Sequence, residues 1–170
     1  MKVIFLDIDG VLNAFNKNSK SRCGEYSGID KARVKLLSSL VAETGAILVL
    51  TSTWKYHWTS PYSSTNLYDT YLNRHLKNKG NLYITDKTRE ANLAQRGMGI
   101  KEYLSRHPEV DGWVVLDDEI FDDYQRRGIF PHLICINSKY GIQEEDVAAA
   151  VKILNGELIG PYNLEEGWDE

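Results

Sequence analysis

Val3-Ile4-Phe5-Leu6-Asp7-Ile8-Asp9-Gly10 is an apolar run that stops at two carboxylates spaced by one residue. Consecutive apolar residues, β-branched and aromatic among them, predict a strand covered on both faces. An unpaired carboxylate is costly away from water, so two at the end of such a strand point to something there that needs negative charge. Residues two apart on a strand point the same way, and Asp7 and Asp9 converge on one place if the chain stays extended. Gly10 then allows a sharp turn without a Cβ clash. Two hard oxygen donors at this position suit Mg²⁺, or a pair in which one carboxylate attacks and the other moves a proton. The plain alternative is a strand running into an acidic turn, and the rest of the chain decides between them.

Working outward, strands and helices alternate. A strand over 2–7 precedes a helix that begins near Ile29-Asp30, with Asp30 as its N-cap and Val34, Leu37, Leu40 and Val41 at helical spacing. Gly45 ends that helix and Ala46-Ile47-Leu48-Val49-Leu50 is a second buried strand. Further strands are expected at Leu82-Tyr83-Ile84, Trp113-Val114-Val115-Leu116 and Leu133 to Ile136. Ile100, Tyr103, Leu104 and His107 mark a helical face ended by Pro108, and a last helix runs from Gln143 to Leu154 with acids in its first turn. The expected fold is α/β: a Rossmann-like three-layer sandwich with a mainly parallel central sheet and ligands at the strands' carboxyl ends.

That edge supplies the candidates. The first strand ends at Asp7 and Asp9, the second at Thr51, and the fourth at Asp117-Asp118. Together the acids suit a divalent-metal site, while Thr51 and nearby backbone N–H groups suit phosphate oxygens. Singly, Thr51 reads as a helix cap and Asp117-Asp118 as an N-cap for Glu119 to Arg127; their joint placement favours a site. The 170 residues, 42% of them apolar, suit one globular domain, and a net charge of −4 with mixed signs argues against a protein that coats nucleic acid. Cys23 and Cys135 fit no metal or redox spacing, and neither do His57, His75, His107 and His132. No signal peptide or membrane-length apolar run is evident, so a cytoplasmic setting and no membrane partner are expected.

These motifs resemble those of the haloacid dehalogenase-like (HAD) phosphohydrolase superfamily over roughly residues 2–155. Asp7-Ile8-Asp9-Gly10-Val11 is similar to its first motif, Thr51 to its second, and Asp117-Asp118 to its fourth. More narrowly, Asp9-Gly10-Val11-Leu12-Asn13, Thr51-Ser52-Thr53-Trp54-Lys55 and Gly141-Ile142 resemble small HAD domains associated with nucleic-acid repair. The resemblance implies a phosphatase in which Asp7 attacks phosphorus, Asp9 serves as acid and then base, and Thr51 holds a phosphoryl oxygen. It implies Mg²⁺ held by Asp7, the backbone carbonyl of Asp9 and the acidic pair, with Asp118 the direct ligand and Asp117 in support. For the third motif's cation the match weakens, and Arg96 is favoured because it stands at a loop-to-helix junction where Gly97-Met98-Gly99 allows close approach; Lys101 is the competitor, with a solvated helix flank as its plain reading, and Arg89 the third choice.

Inserted caps select substrates in this superfamily, and this chain has room only for a minimal cap. Between Val11 and Ile29 lie Asn16, Lys17, Lys20 and Arg22; after Trp54 come Tyr56, His57, Trp58, Tyr62, Tyr68 and Tyr71 among Lys55, Arg74, His75, Lys77 and Lys79. Aromatics among cations suit nucleotide or nucleic-acid binding; alternatively Leu67, Tyr71 and Arg74 make one amphipathic helix face. The expectation is a Mg²⁺-dependent phosphatase acting on a phosphomonoester, a nucleotide or polynucleotide terminal phosphate among them. The alternatives are a phosphoprotein phosphatase and a catalytically weak phosphate-binding module. Residues 1–155 form the expected domain and 156–170 a tail, docked in its first half; the oligomeric state is left open. Asp122-Asp123 read as a solvated helix face.

Overall fold

The computed structural model describes residues 1–15, 28–89 and 94–164. Its elements are β1 (Lys2–Leu6), α1 (Lys31–Thr44), β2 (Ile47–Leu50), a 3₁₀ turn (Thr53–Tyr56), α2 (Leu67–Gly80), β3 (Ile84–Lys87), α3 (Arg96–Arg106), β4 (Gly112–Asp117), a second 3₁₀ turn (Phe130–His132), β5 (Leu133–Cys135) and α4 (Glu144–Leu154). The five strands form one sheet in the order β3-β2-β1-β4-β5, every neighbouring pair parallel.

Strand alternation builds two cores from one sheet. Ile4, Leu6, Leu48, Leu50, Val114 and Leu116 pack with the buried sides of α1, α2 and α4. Val3, Phe5, Val49 and Val115 face the other way, onto Ile100 and Tyr103 of α3 and onto Phe121 and Tyr124. Both faces are covered, which is why the strands read as continuous apolar runs. The architecture is the Rossmann-like α/β sandwich expected. Asp30 caps α1 by accepting from Ala32 N–H at 3.2 Å, and Gly45 closes that helix in the left-handed region at φ 68°. At α4 the Gln143 and Asp146 side chains each bond the other's backbone N–H in a capping box.

Three local expectations shift. β3 is Ile84–Lys87 rather than 82–84, because Leu82 N–H and Asn81 N–H are spent closing α2 on the carbonyls of Leu76 and Lys77. The buried stripe of α2 is Leu72 and Leu76, whereas Leu67 is 69% exposed and Arg74 points outward. A helix must turn its most apolar line to its neighbour, here α1. The segment after Trp54 thus adds a helix to one layer of the sandwich. Finally, residues 118–128 form turns and no helix.

Residues 159–163 run beside β5: Cys135 N–H donates to the Tyr162 carbonyl and Tyr162 N–H to that of Leu133, both at 2.9 Å. Cys23 and the basic residues between 16 and 27 lie outside the described residues, as does the acidic end at 165–170. Among the described residues no helix is long and apolar enough to cross a membrane.

Candidate active site

The strand order reverses between β1 and β4, and at such a switch point the connections leave on opposite faces and open a crevice above the strand ends. Asp7 follows β1 directly and its N–H donates to the Leu116 carbonyl of β4 at 3.0 Å. Asp117 ends β4 and Asp118 comes next. Carboxylate oxygens of Asp7, Asp117 and Asp118 lie within 4.8 Å of one another, the first two residues buried and the third half-buried. Three hard oxygen donors at this spacing fit a small divalent cation. They are the one such cluster of His, Cys, Asp and Glu among the described residues, and none of the four histidines belongs to it.

The two members of the acidic pair have different occupations. Asp117 is saturated by protein: Oδ2 accepts from Arg96 and from the Tyr124 hydroxyl, each at 2.7 Å, and Oδ1 accepts from Glu119 N–H at 3.0 Å. Asp118 shares a hydrogen bond with Asp7. Gly10, at φ +84°, passes so close that a Cβ there would fall on the Asp118 carboxylate. A side chain at position 10 and Asp118 in this place exclude one another.

Burial, and then the charges of Asp117 and Asp118, push the Asp7 carboxyl well above the ordinary range, with the Arg96 guanidinium pulling the other way. Burial by itself would lower Arg96, but Asp117 and then Asp7 reverse this and hold the guanidinium charged. Arg96 reaches Asp7 at 3.3 Å and Asp117 at 2.7 Å, and lies 4.3 Å over the Phe121 ring.

Of the three basic candidates, the structure places Arg96 in the site. Lys101 stands exposed on α3, near enough to His132 to depress its titration, and Arg89 is exposed after β3. The cause is local. Asp123 is fully buried and caps α3, accepting from Gly97 N–H at 3.1 Å and Met98 N–H at 2.8 Å, which sets Arg96 at the helix start facing the strand ends. Asp123 is therefore a buried cap and not a solvated face.

Asp9 is gripped at both oxygens. Asn13 Nδ2 donates to Oδ1 at 2.9 Å, and the Trp54 indole N–H donates to Oδ2 at 3.0 Å. Asn13 also accepts from Gly10 N–H at 2.8 Å, so one amide fixes both the turn and the acid. Thr51 N–H donates to the Leu6 carbonyl, while its hydroxyl is buried with no hydrogen-bond partner among the described residues. A buried hydroxyl without a partner is costly, and a phosphoryl oxygen would satisfy it. The sequence by itself assigns no such role to Trp54, Asn13, Tyr124 or Asp123. Lys55 differs from its expected place among solvent-facing cations: it is 4% exposed, with Nζ 3.3 Å from the Thr88 hydroxyl, and so belongs to the interior.

Asp7 and Thr51 leave adjacent parallel strands, and the acidic pair leaves the strand on the other side of β1, so one sheet edge gathers a buried carboxylate, a buried hydroxyl and a cluster of acids. A family model described as the HAD domain in Swiss Army Knife RNA repair proteins matches residues 3–147, the span from β1 into α4. Among curated proteins and solved structures no significant match is found. With the match covering all five strands and every strand-end acid, the chain belongs to this HAD family, whose domain is of the phosphohydrolase type.

Proposed function

We propose that the protein is a Mg²⁺-dependent phosphatase that removes a terminal phosphate from a nucleotide or polynucleotide. The convergence of Asp7, Asp117 and Asp118 beside the partnerless Thr51 hydroxyl carries this reading. The family's association with RNA repair supports a nucleic-acid substrate. Attack by a carboxylate splits one hard displacement into two easier ones. An Asp7 oxygen attacks phosphorus, the P–O bond to the leaving alcohol breaks, and Asp9 gives its proton to that oxygen. Asp9 then takes a proton from water, whose oxygen attacks the aspartyl-phosphate, and Asp7 leaves as a carboxylate with release of phosphate.

Thr51 donates its hydroxyl to an equatorial phosphoryl oxygen. Arg96 lies against Asp7 and Asp117 and opposes the burial and neighbouring charges that raise the Asp7 carboxyl. Asp7, Asp118 and the Asp9 carbonyl would hold Mg²⁺, with Asp117 occupied by Arg96 and Tyr124; when bound the ion supplies charge neutralisation between the nucleophile and an anionic substrate. Trp54 and Asn13 fix the direction in which Asp9 moves its proton. Lys101, exposed on α3, takes no part.

The test is phosphate release from a 3′-phosphorylated oligonucleotide and from p-nitrophenyl phosphate with Mg²⁺, in wild type and Asp7→Asn. Release from both, lost in the variant, is expected. Release from p-nitrophenyl phosphate alone would retain the phosphatase and discard the nucleic-acid substrate.

A further inference from the structure

We infer that the groove between α2 and the 59–65 loop seats a single-stranded nucleic acid whose terminal phosphate lies at Asp7; this rests on the phosphatase reading. Two hollows on the surface differ in sign. One of about 840 Å³ opens beside Asp118 and is lined by Glu119, Glu145 and Asp146 as well, with no Lys or Arg among the described residues. The other, about 380 Å³, is lined by Tyr62, Tyr83, Arg74 and Lys77, with no carboxylate among the described residues. A polyanionic strand leaving the active site is repelled by the first and drawn to the second.

The second groove is also built rigidly. Asp69, 1% exposed, accepts from the Thr59 hydroxyl at 2.9 Å, the Thr65 hydroxyl at 3.2 Å and Asn73 Nδ2 at 3.1 Å. Asn73 Nδ2 donates further to the carbonyls of Ser60 and Ser63, at 2.9 and 3.1 Å, and its Oδ1 accepts from the Trp58 indole at 3.0 Å. Two polar side chains of α2 are thus spent on fixing a loop whose Tyr62 is 84% exposed. Holding an apolar ring in water in a fixed place gains nothing for the fold, and it lowers the cost of binding a flat partner. Tyr62 and Tyr83 have ring centroids 6.0 Å apart at 49°, so they present two stacking faces at an angle. Arg74 and Lys77 stand one helical turn apart on the outer side of α2, and among the described residues neither forms an ion pair.

Rings at the N-terminal end of α2 reach towards the acids. Trp54, bonded to Asp9, meets the Tyr68 ring at 5.7 Å, and Tyr68 stacks on His57 at 4.6 Å while remaining 46% exposed. Along the axis of α2, Arg74 lies about 9 Å beyond Tyr68 and Lys77 about 5 Å further; they stand roughly 120° and 180° round the helix from it, so a strand reaches them by crossing the N-terminal turn of α2 past the 59–65 loop. Rings near the acids followed by cations and further rings are what a strand of bases and phosphates needs. A phosphopeptide brings one phosphate and has no use for the rest.

The test measures fluorescence anisotropy of a labelled single-stranded 3′-phosphorylated oligoribonucleotide on the whole protein, with chelator present to stop turnover. Tyr62→Ala and the double variant Arg74→Gln/Lys77→Gln change exposed side chains outside the acid cluster, and p-nitrophenyl phosphate hydrolysis should be unaltered in both. About tenfold weaker oligonucleotide binding is expected in each. The double variant should also flatten the salt slope by about 0.7 for each phosphate it no longer neutralises. Binding within twofold of wild type in both would overturn the groove, even if phosphate release establishes the phosphatase. Displacement of the oligonucleotide by a phosphopeptide at equal concentration would overturn it in favour of a protein ligand. If neither substrate is hydrolysed but the variants weaken binding as expected, the groove stands and the phosphatase reading fails.

Discussion

Arg96→Met tests how the three carboxylates are held together. The guanidinium lies 2.7 Å from Asp117 and 3.3 Å from Asp7, with side-chain exposures of 9%, 0% and 8% for Arg96, Asp117 and Asp7. At an effective dielectric of about 20 these distances correspond to about 6 and 5 kcal/mol of attraction, before desolvation is subtracted. Removing one partner of a buried pair costs about 3–5 kcal/mol, because the charge left behind has no solvent. Asp7 can take up a proton, its carboxyl being already raised by burial and by Asp117, so the lower end is expected. About 3 kcal/mol lost corresponds to a melting temperature lower by about 6–12 °C for a chain of this size. Urea unfolding in chelator measures the loss directly. Repeated with Mg²⁺, the same titration should show a larger ion-induced gain in Arg96→Met than in wild type, since a cation replaces the missing positive charge. Lys101→Met, on an exposed face, should stay within about 0.5 kcal/mol of wild type. A loss below about 1 kcal/mol in chelator, or equal Mg²⁺ gains in both proteins, would refute the reasoning.

Three other outcomes follow from particular atoms. Thr51→Val deletes a buried hydroxyl with no partner, so the urea midpoint should hold or rise while kcat falls about 10²-fold. Gly10→Ala forces a side chain into φ +84° and onto Asp118, so calorimetry should show a loss of about 1–2 kcal/mol or more, and Mg²⁺ should no longer stabilise the protein. His132 stacks on Trp113 at 3.5 Å with Nδ1 2.9 Å from the Trp113 carbonyl, and burial lowers its titration below the ordinary 6.5. Folding therefore favours the neutral ring: its contribution is complete above pH 6.5 and is lost as pH falls below that value. Urea midpoints should fall more steeply below pH 6.5 in wild type than in His132→Gln.

What could be read in the sequence followed from how each element is buried. β1, β2 and β4 are covered on both faces, so their apolar runs stand out, and the chemistry-bearing residues follow directly where those runs stop. β3 is an edge strand reading Ile84-Thr85-Asp86-Lys87, with only Ile84 fully buried, so the apolar run Leu82-Tyr83-Ile84 sets it two residues early and misses its polar half. On α2 the polar Asn66 cap, which accepts from Asp69 N–H, carries the start of the helix, while exposed Leu67 draws attention to the wrong face. The choice of Arg96 over Lys101 and Arg89 is signalled only by its place at a loop-to-helix junction before Gly97; what fixes it there is Asp123, 27 residues beyond Arg96. The Trp54–Asp9 and Tyr124–Asp117 bonds are likewise pairings between separate elements, and spacing along the chain does not encode them.

The placement of β1 has a consequence for biosynthesis. Of the five strands this one is made first, yet it is the middle of the sheet, paired to β2 on one side and to β4 on the other. Its β4 neighbour begins at Gly112, so at about 5–20 residues per second the ribosome delivers it on the order of 5–20 s later. During that interval Val3 to Leu6 can be covered on one flank only, and Asp7 waits for Arg96 and Asp117. A nascent chain stopped short of residue 118 presents an open apolar strand edge, the kind of surface that chaperones engage and aggregates grow from. Synthesis of β4 and completion of the crevice are thus coupled by strand order alone.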